Sequence, residues 1–305
     1  MSENVVDNTV ENKQNLSQYR QGILLALIGT ALFSIKPVFI KLAYQYGGDA
    51  TSIMSLRALS SLPFYIVILL WSLRSQTNRT YVKKFGWQAA GIGVLGYYLA
   101  SYLDITALAS ISAQLERLLI FLFPTFVVLL SWYFSGQKPN KKTVTAIIIG
   151  YLGISLIVAH DLSHLGAQVW TGSALAVCSA FVFACYLILS KRIITIMGSQ
   201  LFTSLGMGSA GVAILIHLQF SEVNIESLSQ ELIILGVTLG FFCTVLPSYL
   251  VSAAMARLTP SLLSLTSNIG PVITAIFAIF ILEESFTAYH AAGMVLVILS
   301  IIKLK

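Results

Sequence analysis

The sequence predicts an all-α polytopic membrane protein whose chain crosses the bilayer ten times. Three observations predict this class: a shortage of charge, a series of long apolar runs, and an uneven distribution of charge between the loops. Of the 305 residues, 57% are hydrophobic and only 10% are charged, whereas soluble domains carry roughly 25% charged residues. So few charges cannot cover a water-facing surface, which excludes a soluble enzyme and a disordered chain.

Ten apolar stretches follow a polar segment, residues 1–21, which we expect to be a flexible cytoplasmic tail. Each stretch is long enough, as a helix, to cross roughly 30 Å of hydrocarbon. A helix pairs its own backbone groups, as lipid requires. The predicted spans are 22–44, 51–73, 86–108, 110–134, 142–160, 170–190, 200–220, 232–254, 260–282 and 287–303.

The loops carry charge of opposite sign on the two sides of the predicted membrane. With the N-terminus in the cytoplasm, the inner segments hold 14 of the 18 Lys and Arg residues. The outer segments then hold no Lys or Arg but seven acids: Asp49, Asp161, Glu222, Glu226, Glu231, Glu283 and Glu284. The positive-inside rule therefore places both termini in the cytoplasm, and it accounts for the basic net charge without a nucleic-acid partner.

The chain also repeats itself at nearly constant offsets. The matches include, at a shift of 147, Ser101, Tyr102, Leu103 and Pro124 with Ser248, Tyr249, Leu250 and Pro271, and, at a shift of 150, Phe33 and Lys41 with Phe183 and Lys191. Residues 22–160 and 170–305 then form two repeats of five helices each, and an odd number inverts the second repeat in the membrane. Inverted repeats are typical of secondary transporters, which bind their substrate between the repeats.

Three segments carry a resemblance to a known family: Phe33 to Leu42, Glu116-Arg117-Leu118-Leu119 to Phe123-Pro124, and Pro260 through Asn268 to Pro271 followed by Glu283-Glu284. Through them, residues 20–303 resemble the drug/metabolite transporter superfamily and, within it, the ten-helix EamA-type carriers. The resemblance implies an inner-membrane carrier, often an exporter. It leaves the substrate open, because the family carries amino acids, nucleotide-related metabolites, sugars and drugs.

Six ionisable residues lie inside the predicted spans of the first repeat: Lys36, Lys41, Arg57, Asp104, Glu116 and Arg117. An unpaired charge near the bilayer centre costs roughly 2.5–3.5 kcal/mol, so these residues must pair, reach the interface or face water. Counting from the helix ends places all six in the outer half of the membrane, as a polar cavity entered from outside requires. Lys41 is expected to snorkel to the outer interface.

The other five charges are candidate substrate-binding residues. Lys36 is the deepest, and it precedes Pro37, so a broken helix lies beside a buried charge, as in the binding sites of secondary carriers. Asp104 either contacts substrate or forms a structural ion pair with Arg57. Glu116 and Arg117 point about 100° apart on a helix, so we expect one to line the cavity and the other to tie helices together.

Uncharged polar residues could complete this site. The second repeat offers Ser248, Tyr249 and Asn268 as hydrogen-bonding groups, and Tyr102 is the repeat equivalent of Tyr249. Four buried cations outnumber the two acids, which favours a substrate group that is negative, such as the carboxylate of an amino acid or organic acid. For the same reason we expect both acids to stay ionised, which predicts facilitated diffusion or exchange rather than proton-driven transport.

Other functions lack the residues that they would need. The sequence contains no phosphate-binding Gly-Lys-Ser/Thr loop, metal-ligand cluster or nucleophile–base motif, so we expect no catalysis, cofactor or metal. The leading interpretation is a secondary transporter, an exporter or exchanger of a small polar metabolite working by alternating access. The alternatives are a non-transporting receptor or assembly component and an intramembrane enzyme. The expected partners are a small-molecule substrate and lipid, not nucleic acid, and a homodimer is left open.

Overall fold

The computed structural model describes the backbone of residues 3–135, 141–224, 228–259, 262–263 and 266–303, and within these ranges it contains helices and no β-strand. The predicted first repeat holds α1 (Glu3–Gln45), α2 (Ala50–Ser72), α3 (Gln76–Gly93), α4 (Ala100–Leu108), α5 (Ala113–Ile120), α6 (Phe123–Ser135) and α7 (Lys141–Leu165). The second holds α8 (Gln168–Met197), α9 (Ser199–Gln219), α10 (Gln230–Gly240), α11 (Leu246–Arg257), α12 (Gly270–Leu282) and α13 (Ala288–Lys303).

The helices are long and apolar enough for a membrane, which confirms the predicted class. Among the described residues, seven continuous helical segments qualify as membrane spans, and three shorter apolar helices accompany them at 147–160, 270–282 and 288–300. Each of the ten predicted spans overlaps one of these segments. The count of ten crossings stays a prediction, because the three shorter segments have only 10–17 residues.

The backbone of α1 begins at Glu3 and continues without a break to Gln45. It therefore runs helically through most of residues 1–21, where we expected a flexible tail. Pro37 lies inside this helix, so the helix continues past the break that was expected beside Lys36. The cytoplasmic location of the N-terminal segment stays a prediction.

Polar caps begin the helices that surround the cavity described below. Asp49 begins α2 with a capping box: its Oδ1 accepts from the Ser52 backbone N–H at 2.6 Å, and the Ser52 hydroxyl lies 2.8 Å from the Asp49 backbone N–H. Ser112 begins α5 by accepting from the Leu115 N–H at 3.1 Å. Such caps satisfy backbone donors that a helix leaves unpaired in its first turn.

Helices of the two predicted repeats pack on each other rather than forming two separate bundles. The main pairs are α1 with α11, α2 with α9, α4 with α8, and α7 with α13. Helices also approach closely at glycine, α3 with α9 and α7 with α13. A Cβ added to Gly93 would lie 2.2 Å from the Gly206 carbonyl oxygen, and one added to Gly153 would lie 2.6 Å from the Gly293 carbonyl oxygen. Small residues let membrane helices approach this closely.

Two lysines hold corresponding corners of the fold. Lys41 Nζ donates to the carbonyls of Leu108 and Ile111, at 3.2 and 3.0 Å, where α4 ends. Lys191 Nζ donates to the carbonyls of Met255 and Leu258, where α11 ends. The lysines are 150 positions apart and their acceptors 147, the offsets of the sequence matches. That Lys41 snorkels to the outer interface stays a prediction, and its ammonium caps a helix end that we predict to be outer.

Two π-helical turns also recur at this spacing. Val94–Leu99 joins α3 to α4, and Phe241–Val245 joins α10 to α11, so the turns begin 147 residues apart. Turns of this kind are rare and frequently lie at functional sites. Both contribute residues to the same internal cavity, which is described next.

Candidate functional site

The helices surround one cavity that collects the predicted charges. Its volume is about 120 Å³. Five predicted site residues line it: Lys36, Arg57, Asp104, Glu116 and Arg117. They come from α1, α2, α4 and α5, close to the ends of these helices that we predict to be outer. The cavity also has walls from α8, α11 and both π-helical turns.

Asp104 pairs with Lys36 and not with Arg57. Lys36 Nζ lies 2.5 Å from Asp104 Oδ2, the one salt bridge found among the described residues. The side chains are 15% and 4% exposed, so the pair is nearly removed from solvent. The predicted ion pair of Arg57 with Asp104 is therefore wrong. The sequence set the depth of the three residues, whereas the rotation of α1 and α2 decided which cation reached the acid.

Glu116 and Arg117 both line the cavity, although we expected only one of them to do so. Arg117 also ties helices together, because its Nη2 donates to the Ser34 hydroxyl at 2.8 Å and its guanidinium lies 5.2 Å from the centre of the Phe121 ring. Its Nε is buried without a hydrogen-bond partner. The Glu116 side chain contacts that of Asp104 across the gap between α5 and α4.

Arg57 is the cation that other side chains leave available. It is 4% exposed and lines the cavity from α2. Within the described part of the chain, no ion pair or hydrogen bond to its guanidinium is found. A guanidinium presents a planar fork of donors that matches a carboxylate. The arrangement can therefore bind an anionic group at Arg57 without first breaking a contact inside the protein.

Aromatic and aliphatic residues form much of the remaining wall, beside the hydroxyl groups of Thr30, Ser101, Ser179, Thr244 and Ser267, and the sequence analysis assigned none of them to the site. The aromatic residues are Phe33, Tyr97, Phe121, Phe123 and Phe183. Two of these, Phe33 and Phe183, were matched by the shift of 150, so the repeat itself contained a signal for them. The others come from helix ends and a π-helical turn, where a regular helical projection does not predict which way a side chain points.

Three predicted site residues are not brought into the lining, and a fourth cannot be placed. Ser248 and Tyr249 lie in a separate hydrogen-bonded layer, where the Ser248 hydroxyl is 2.9 Å from that of Tyr65 and the Tyr249 hydroxyl is 2.7 Å from that of Ser204. Tyr102 packs its ring on His217, with centroids 5.1 Å apart. Asn268 belongs to the 3₁₀ turn Ser267–Ile269, and its side chain lies outside the described residues.

The layer around Tyr65 lies on the side of the cavity that we predict to be inner. Tyr65 follows Arg57 by eight residues on α2, which corresponds to roughly 12 Å along the helix. Its ring is buried and lies 5.7 Å from that of Tyr249. The absence of Ser248 and Tyr249 from the lining has a physical reason: a hydroxyl can serve a helix contact as well as a ligand, and its depth does not distinguish the two.

An all-α polytopic fold around a charged cavity defines the chain as a membrane transporter rather than a soluble binding protein. Comparison with known proteins supplies the family. The model of the EamA-like transporter family matches residues 20–159 and again residues 170–304. The chain therefore belongs to this family, as the resemblance implied, and is a multi-pass membrane protein.

Relatives of known name agree with this assignment. The uncharacterized transporter YcbK of Bacillus subtilis is 25% identical over 291 residues, covering 93% of this chain and 92% of that protein. Protein RarD of Escherichia coli is 25% identical over 271 residues and 86% of each chain. A crystal structure with 18% sequence identity matches 92% of this chain and 95% of its own with a TM-score of 0.63, which supports the fold alone.

Proposed function

We propose that this transporter is a secondary carrier, an exporter or exchanger, for a small carboxylate-bearing metabolite and that an apolar amino acid is its best-fitting substrate class. The observation that carries the proposal is the buried Arg57 guanidinium, which faces the cavity without an ion pair among the described residues. A desolvated guanidinium is stabilised by a carboxylate in bidentate contact. The carboxylate of a bound substrate would supply that interaction to Arg57.

The remaining walls favour a compound with an apolar side chain. Five aromatic rings, together with Ile120, Leu187, Val251 and Leu263, line the space beyond the charged cluster. Apolar surface gains roughly 25 cal/mol per Å² when it leaves water. A polyanion would leave these aromatic and aliphatic walls without complementary contacts. An amino acid with an aliphatic or aromatic side chain would use both parts of the cavity.

Alternating access of the two predicted repeats is the mechanism that we propose. The cavity is lined by helices of both repeats, and the Tyr65 to Ser248 hydrogen bond joins them on the predicted inner side. Breaking that layer would open the cavity toward the cytoplasm. The loop charges favour the inner membrane with both termini in the cytoplasm. A non-transporting receptor would not require a layer that can open.

Counterflow in proteoliposomes tests this proposal. Vesicles preloaded with unlabelled L-leucine, L-phenylalanine, L-aspartate or succinate are diluted into the labelled compound, and its transient accumulation is measured. We expect accumulation of leucine and phenylalanine. Arg57→Gln should weaken the apparent affinity roughly 10- to 150-fold, because a hydrogen bond to a charged group contributes about 1.5–3 kcal/mol.

The matched control is Arg192→Gln, which removes an exposed charge at the end of α8. Arg57→Gln should fold, since Arg57 has no ion-pair partner to leave behind in the described chain. Unchanged counterflow in Arg57→Gln would contradict the role of this residue. A protein that carries none of the four compounds would contradict the proposed substrate class.

A further inference from the structure

Two buried carboxyl groups meet inside the cavity. Asp104 on α4 and Glu116 on α5 are 3% and 1% exposed, and their side chains contact each other. Lys36 donates to Asp104 Oδ2. Asp104 Oδ1 and Glu116 Oε2, by contrast, are both buried without a hydrogen-bond partner. Each of the two carboxyl groups therefore has a buried acceptor atom for which no donor is found among the described residues.

The neighbouring groups do not supply that donor. The charged and titratable residues that surround the pair are Lys36, Arg57, Arg117, Tyr44, Tyr97, Tyr102 and Cys243. Lys36 is directed to the other oxygen of Asp104, and Arg117 is directed to Ser34. Tyr44 donates to the Ile105 carbonyl. No donor to either open oxygen is found among the described residues.

An ionised carboxyl group only accepts hydrogen bonds, whereas a protonated one also donates. Two adjacent carboxylates repel each other, and a buried acceptor without a donor carries a desolvation cost. One proton held between Asp104 and Glu116 removes both penalties. A proton is also small enough to enter without moving any helix.

We propose that Asp104 and Glu116 hold one proton between them in the empty cavity, and that the ammonium group of a substrate displaces it. The inference rests on the proposed function for the identity of the cargo, but the resident proton does not depend on it. It replaces the expectation that both acids stay ionised. That expectation compared only the numbers of cations and acids, whereas the structure leaves Asp104 Oδ1 and Glu116 Oε2 without a cation or other donor among the described residues.

The atoms balance, and one positive charge leaves with the proton while the zwitterion brings no net charge. The O–H bond of the protonated carboxyl breaks, and its proton passes to water in the open mouth of the cavity. The substrate ammonium then donates N–H groups to the two carboxylates, while its carboxylate binds Arg57. One proton leaves for each zwitterion that enters. Transport would therefore be an exchange of protons for substrate, driven by a pH gradient.

Infrared spectroscopy of the purified protein in lipid detects the proton directly, because the carbonyl stretch of a protonated carboxyl is absent from carboxylates. At neutral pH we expect wild-type protein to show this band with the intensity of one group. Glu116→Gln should remove it. This variant should fold, because the amide can still donate to Asp104. Glu222→Gln, which changes an exposed acid, is the matched control and should keep the band.

Three related probes separate displacement from simple occupancy. L-Phenylalanine and phenethylamine both carry an ammonium group, and we expect both to remove the band. 3-Phenylpropionate lacks this group and should leave the band in place. A wild-type protein without the band, or a band that persists in Glu116→Gln, would overturn the proposal. So would a band that survives saturating phenylalanine.

Flux measurements distinguish this inference from the proposed function. At clamped voltage, a pH gradient should drive accumulation of phenylalanine in wild type and not in Glu116→Gln. Counterflow at equal pH without any response to the gradient would remove proton exchange and keep the carrier function. The infrared band without flux of any amino acid would keep the resident proton and remove the proposed cargo.

Discussion

The two predicted repeats are alike where helices are held together and different where the cavity is lined. Lys41 and Lys191 cap corresponding helix ends with the same pair of contacts. At the same offsets, however, Lys36 corresponds to Tyr186, Asp104 to Val251 and Glu116 to Leu263. Shared contacts preserve the scaffold, whereas the charged cluster belongs to one repeat only.

This difference gives one cavity both charged and apolar lining residues. Val251 and Leu263 line the same space as Asp104 and Glu116. A symmetric cavity would carry either four acids or none, and neither suits a compound with a polar and an apolar end. Loss of charge in one repeat therefore favours an amphipathic substrate. The comparison can be tested by making the repeats more alike or by removing what they share.

The largest effect is expected when the charged wall is changed to match the apolar one. Asp104→Val introduces the residue found at position 251 and leaves Lys36 without its partner. Breaking a buried ion pair in this way costs about 3–5 kcal/mol. We expect a strongly lowered unfolding midpoint in detergent and no transport.

The double variant Lys36→Met with Asp104→Val supplies the control for this prediction. It removes both charges, so it should unfold at a higher temperature than Asp104→Val alone, still without transport. A double variant that melts below Asp104→Val would show that Lys36 and Asp104 do not form the pair.

A moderate and equal effect is expected at the two lysine corners. Lys41→Met and Lys191→Met each remove hydrogen bonds from an ammonium to the last carbonyls of a helix. We expect each to lower the free energy of unfolding by about 2 kcal/mol, with counterflow retained. Lys142→Met, at an exposed position, should change neither property. Clearly unequal losses at Lys41 and Lys191 would break the equivalence of the two corners.

The smallest effect is expected at a contact that joins the repeats at the predicted outer side. The Glu284 carboxylate accepts from the backbone N–H groups of Ala113 and Gln114, at 2.8 and 3.4 Å, where α5 begins. Glu284→Ala should lower the free energy of unfolding by about 1 kcal/mol, as loss of a helix cap does. Glu222→Ala is the control. An unchanged thermal melt of Glu284→Ala would mean that this cap does not hold α5.

Much of the site could be predicted by position along the chain. All five charges assigned to it line the cavity, because helix length and the cost of burying charge in lipid restrict where they can lie. The contacts between them could not be predicted in the same way. Lys36 and Arg57 lie at comparable depth, and the choice of partner for Asp104 depends on how α1 and α2 are rotated about their axes.

The sequence by itself determined that this chain is an all-α membrane protein and which residues are buried with charge. Both follow from composition along the chain, since lipid accepts only apolar runs with paired backbones. Only the tertiary structure decided that Asp104 and Glu116 meet, that Arg57 faces open space, and that Tyr249 pairs with Ser204 outside the lining. Those facts depend on helix rotation and on the break between α4 and α5, neither of which a linear pattern encodes.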